Sequence, residues 1–86
     1  MTREDFIDYL LANNCEIVRI ANKGYHVMRN VETLKMSGVP VTDPPLAATV
    51  CRICKTLDVQ PPAIAKEAKK LIDEIHDKFN GGGEIH

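Results

Sequence analysis

The residues best suited to chemistry are Gly24-Tyr25-His26, which stand at the mouth of a predicted β-hairpin. An imidazole exchanges protons near neutral pH, and a turn beside it gives rigid backbone from which to present it. RNA cleavage needs such a group, because one proton leaves a 2′-hydroxyl and another reaches the departing oxygen. A positioned acid or base is worth ~10²–10⁴-fold in such a step. The plainer reading of a strand histidine is a polar surface residue, and both readings stand at this point. Strand alternation puts His26 and Met28 on one side and Tyr25, Val27 and Arg29 on the other. The sequence does not say which side faces a core.

Cations surround this step. Between Cys15 and Val39 the chain carries Arg19, Lys23, Arg29 and Lys35 against Glu16 and Glu32, a local charge of +2. Such side chains on a hairpin reach phosphates readily, although each taken alone reads as solvated charge. Tyr25 is suited to stacking on an unpaired base, or to packing as an ordinary strand aromatic. Cys51 and Cys54 form a C-x-x-C pair, with Cys15 as the third cysteine. A zinc site needs a second pair of ligands, and a redox pair belongs at a helix N-terminus. These two fall inside a predicted helix and read as small packing residues. An odd cysteine count argues against a disulfide framework and points to a reducing, cytoplasmic setting.

Composition sets the outer bounds. Eighty-six residues make one domain with a modest core. A hydrophobic fraction of 44% with 27% charged residues is that of a globular protein. No apolar run is long enough for a transmembrane helix, so no membrane association is expected. The start, Thr2-Arg3-Glu4-Asp5, is unlike a signal peptide. A net charge of −1 argues against binding nucleic acid through an overall basic field.

The elements follow from periodicity. Thr2 and Asp5 mark a helix start, and Phe6, Ile7, Leu10 and Leu11 repeat at helical spacing over Arg3 to Ala12. Asn13-Asn14 ends that helix. Cys15 to Ala21 and Tyr25 to Arg29 read as a hairpin about Asn22-Lys23-Gly24, with glycine free to take positive φ. Met36 to Thr42 reads as a third, edge strand, because Pro40 lacks a ladder donor. Asp43-Pro44-Pro45 predicts an N-cap followed by a helix over Pro44 to Leu57. A third helix is expected over Ala63 to Phe79, with Ile64, Ala68, Leu71, Ile72, Ile75 and Phe79 on its apolar face. Asn80 and the three glycines after it are expected to stop this helix, leaving residues 81–86 as a flexible tail. The expected fold is α+β: a small three-stranded antiparallel sheet with helices on one face and an extra C-terminal helix. The other face is left open to a partner.

Several of these residues together carry a resemblance. The first helix, Gly24-Tyr25-His26, Val39-Pro40, and Thr49-Val50-Cys51-Arg52-Ile53-Cys54-Lys55 with Val59 after it resemble the HicA-like (YcfA-like) family. That family consists of small toxin ribonucleases of toxin–antitoxin systems. The resemblance spans roughly Thr2 to Val59, so residues 1–59 form the expected core and residues 60–80 an added helix. It implies a fold like the double-stranded RNA-binding domain, metal-free mRNA cleavage by the hairpin histidine with no cofactor, and inhibition by a cognate antitoxin. His26 takes the catalytic role, Thr49 matches the helix threonine and Lys55 the helix lysine. The expected RNA-binding set is Arg19, Lys23, Gly24, Tyr25, Arg29 and Lys35. The chain departs from the pattern at Tyr25 for serine, at Thr42 for a second histidine, and at Ala48 and Asp58 for glycines. These departures leave a second reading, a non-catalytic RNA- or protein-binding module of the same fold. The C-terminal helix offers either a cover for the sheet or a homodimer contact.

Overall fold

The computed structural model describes residues 1–83, with side chains to Ile75. Helix α1 (Arg3–Leu11) is followed by strand β1 (Cys15–Ile20), a tight turn at Asn22–Gly24, and strand β2 (His26–Asn30). Strand β3 (Met36–Val39), helix α2 (Ala47–Thr56) and helix α3 (Ala63–Gly83) complete the chain. The three strands form one open antiparallel sheet in the order β1-β2-β3. This is the small α+β architecture that the sequence implies, and β3 is an edge strand.

Local chemistry accounts for the first half. The Thr2 hydroxyl accepts from the Asp5 amide at 3.1 Å, and the Asp5 carboxylate accepts from the Thr2 amide at 3.2 Å. This reciprocal capping box satisfies two donors that a helix start otherwise leaves unpaired. Asn14, at φ 63°, turns the chain out of α1. Lys23 and Gly24 both have positive φ in the hairpin turn, so the glycine does what its place requires and a lysine shares the task.

The core lies between the sheet and the helices. Phe6, Ile7 and Leu10 from α1 meet Cys15, Met28 and Val39 from the three strands and Val50, Ile53 and Cys54 from α2. His26 pairs with Val39, and Met28 with Ile17, so His26 shares the helix-covered side of β2 with Met28. The opposite, open side carries Arg19, Val27 and Glu16 with its partner Arg29. Tyr25 lies across Gly38 on that side. A Cβ at Gly38 would clash with the tyrosine ring and hydroxyl, so only glycine lets the ring approach β3. A register shift between Ile17 and Arg19 bulges β1, which is the other edge.

Two expectations need correction, and one of two open alternatives is closed. Helix α2 begins at Ala47 rather than Pro44, and Asp43 is not its cap. Pro45 disfavours helical backbone at the residue before it, and the Asp43 carboxylate instead accepts the Arg3 amide at 3.0 Å. Helix α3 runs to Gly83, because glycine weakens a helix without forbidding it. The tail expected over residues 81–86 is therefore helical as far as Gly83, and its remainder, including His86, lies outside the described residues. Finally, the apolar stripe of α3 does not cover the sheet. Ala65 joins the core, but Leu71 is 60% exposed and Ile64, Ile72 and Ile75 are also more than half exposed or close to it. Among the described residues, no helix is long and apolar enough to cross a membrane.

Candidate functional site

The site is built where α1 meets the hairpin turn. Register and pleat place His26 at the start of β2 on the helix side, half-buried. Its Nδ1 lies 2.7 Å from the Gly24 carbonyl and 3.0 Å from Nη2 of Arg3. Arg3 is the second residue of the site, and nothing in the sequence marks it as one. It sits at the first position of α1, and its guanidinium reaches across to the sheet. Nε donates to the Pro40 carbonyl at 2.7 Å, and Nη2 donates to the Gly24 carbonyl at 2.7 Å and toward the Val39 carbonyl at 3.4 Å. One cation thereby ties the helix start, the hairpin turn and the end of β3 around the histidine.

Proton counting assigns the histidine tautomer. Both hydrogens of Arg3 Nη2 have carbonyl acceptors, so Nδ1 of His26 need not accept one of them. Nδ1–H instead donates to the Gly24 carbonyl, which leaves Nε2 as the ring nitrogen without a hydrogen-bond partner among the described residues. The ring lines a shallow pocket with Arg3, Glu4, Ile7, Val41 and Asp43. Among the described residues, Arg3 makes no ion pair and its Nη1 makes no hydrogen bond. The pocket therefore places an imidazole and a guanidinium side by side, with Glu4 and Asp43 also on its wall.

The phosphate-binding candidates do not converge on this pocket. Gly24 belongs to it through its carbonyl, which accepts from both Arg3 and His26. Tyr25, Arg19 and Arg29 belong to the open side of the sheet. Arg29 is ion-paired with Glu16, its Nε donating at 2.9 Å, and Lys35 is paired with Asp58 at 2.9 Å. Arg19 and Lys23 are exposed and make no ion pair among the described residues.

No protein-family model matches the chain, and no curated protein and no solved structure matches it. The site is thus read from its own geometry.

The cysteines belong to packing. Cys54 is fully buried in α2 and Cys15 is buried in β1, while Cys51 is half-buried; all three are free thiols. Among the described residues, no three His, Cys, Asp or Glu side chains are grouped to hold a metal ion. Burial, reinforced by the neighbouring Cys51 and Cys15 thiols, pushes the Cys54 thiol up to about 12 from its ordinary value of 9.0. Burial also raises Cys15 and Tyr9. An acid whose folded pKa is raised stabilises the fold below its unfolded pKa and loses that contribution as pH rises toward the folded value. The urea midpoint is therefore expected to fall between pH 8 and pH 10, and Cys54→Ala to flatten that fall. An equal fall in both proteins would assign the effect elsewhere.

Proposed function

We propose that this protein is an RNA-binding, toxin-like ribonuclease with the double-stranded RNA-binding-domain type of fold that its HicA-like residues imply. One observation carries the reading. The Arg3 guanidinium and the His26 imidazole stand 3.0 Å apart on the wall of one open pocket. In the proposed step the 2′-oxygen of a ribose attacks the adjacent phosphorus. Nε2 of His26 takes the 2′ proton, and the bond from phosphorus to the 5′-oxygen breaks. The resulting imidazolium returns a proton to that 5′-oxygen. Arg3, through its free Nη1, faces the charge that builds on the phosphoryl oxygens. Nδ1–H held by the Gly24 carbonyl fixes the ring and its tautomer throughout. Outside this pocket, Arg19 on the open side of the sheet and Lys23 in the turn meet more distant phosphates, Tyr25 offers its ring to a base on that open side, and an antitoxin protein inhibits by covering the pocket.

A second reading, a non-catalytic RNA-binding module, is favoured by one feature. Arg3 also donates to the carbonyls of Pro40 and Gly24, which makes it a clamp for the turn regardless of any chemistry. Induced expression with growth and total mRNA followed together separates the two. Arrest with mRNA loss supports the ribonuclease. An RNA complex formed without arrest supports the module.

A further inference from the structure

Two of the cations that the sequence offered for phosphate are already neutralised by Glu16 and Asp58. A different set of cations remains. The groove between α2 and α3 is lined by Arg52 and Lys55 from one helix and by Lys66 and Lys69 from the other. Each pair is spaced i, i+3, so both members lie on one helix face and the two faces meet across the groove. The remaining lining is apolar or neutral, and no Asp or Glu contributes to it. Among the described residues, Arg52, Lys55 and Lys66 make no ion pair, while Lys69 donates to Asp73 at 3.0 Å. Four cations thus line one groove of a chain whose net charge is −1. Like charges repel, and with only Lys69 balanced by an acid, holding Arg52, Lys55 and Lys66 together is unfavourable unless an anion joins them.

We propose that this groove binds the phosphate backbone of single-stranded RNA, apart from the His26 pocket and with no lining residue in common with it. The inference rests on the RNA reading given above and adds where the strand is held. Arg52 supplies a planar fork suited to a phosphate, and the lysines supply point charges along the helices. Gln60, also on the lining, adds an amide that hydrogen-bonds sugar or phosphate without regard to base. The expected binding is therefore salt-dependent and tolerant of sequence.

The test is fluorescence anisotropy with a labelled single-stranded RNA of mixed sequence, titrated from 50 to 200 mM salt. The proteins are the wild type, the triple variant Arg52→Gln, Lys55→Gln, Lys66→Gln, and the charge-preserving triple Arg52→Lys, Lys55→Arg, Lys66→Arg. All three positions are exposed, so the fold is expected to survive and circular dichroism checks that it does. Losing three phosphate contacts lowers the slope of log affinity against log salt by about 2 and affinity at 0.1 M salt on the order of 100-fold. The charge-preserving triple retains the wild-type slope, because the slope counts charges. Equal slopes for the wild type and the glutamine triple overturn the groove and leave the His26 reading standing. A wild type that does not bind RNA overturns both.

Discussion

His26→Asn is expected to stop mRNA loss and relieve growth arrest, with a fall in cleavage rate of about 10²–10⁴-fold and little change in stability. Asparagine keeps a donor where Nδ1–H meets the Gly24 carbonyl at 2.7 Å, so the turn keeps its tie. It has no nitrogen that exchanges protons near neutral pH, so the proposed base is gone. Arg3→Lys is the companion. It keeps the charge but not the fork that reaches Pro40 and Gly24 together, and both activity and stability are expected to drop. The pair separates chemistry from scaffolding, since His26→Asn should move the rate alone. Measured in purified form on a defined RNA, wild-type cleavage that survives His26→Asn would remove His26 from the mechanism. A wild type that leaves growth and mRNA unchanged at confirmed expression would leave the binding module.

The difference between the two residues also explains what the sequence revealed. His26 was legible because its neighbours are local: a turn glycine before it, a strand after it, and Val39 paired to it across β3. Arg3 was not, because 23 residues separate it from the ring and only the docking of α1 on the hairpin closes that distance. In the sequence it is one more charge at a helix start. The phosphate candidates failed to converge for a related reason. Whether Arg29 faces Glu16, and on which side of the sheet, depends on a register that one bulge between Ile17 and Arg19 resets. The basic groove was invisible for the same cause, since Arg52 and Lys66 become neighbours only when α3 folds back on α2.

Element identity was easier than element ends. The capping box at Thr2 and Asp5 worked as expected because both partners lie within one turn. Asp43-Pro44-Pro45 misled because the same residues that cap a helix also make other contacts. The Asp43 carboxylate is engaged by the Arg3 amide, and Leu46 stays extended at ψ 140° before α2 starts. The α3 stripe shows the limit of periodicity. It states that a face is apolar and not what that face meets, and here Ile64, Leu71, Ile72 and Ile75 stay at least half exposed.

The largest effect on stability is expected at Asn30, the one buried polar residue among those described. It ends β2 opposite Cys15, where the sheet, the following turn and the end of α2 come together. Its Nδ2 donates to the Leu57 carbonyl at 2.7 Å, which a helix end otherwise leaves unpaired. Its Oδ1 accepts from the amides of Glu32 at 2.8 Å and Thr33 at 3.2 Å. An asparagine fits here because it alone, at this size, carries a donor and an acceptor on one planar group. Asn30→Ala strands a buried carbonyl and frees two amides, a loss of about 2–4 kcal/mol when each buried orphan costs ~1–3 kcal/mol. Against the roughly 4–13 kcal/mol of stability usual for a chain of this length, that is a large fraction. Asn30→Asp gives a finer test. The carboxylate keeps both amides but turns a lone pair toward the Leu57 carbonyl, and the charge is buried. This variant should be unstable at pH 7 and recover as pH falls, because a protonated carboxyl can donate where Nδ2 did. Urea denaturation of the three proteins at pH 7 and pH 4, with wild type as the reference at each, measures this. An Asn30→Ala midpoint matching wild type, or an Asn30→Asp variant that weakens on acidification relative to wild type, would mean that the side chain does not hold α2 to the sheet.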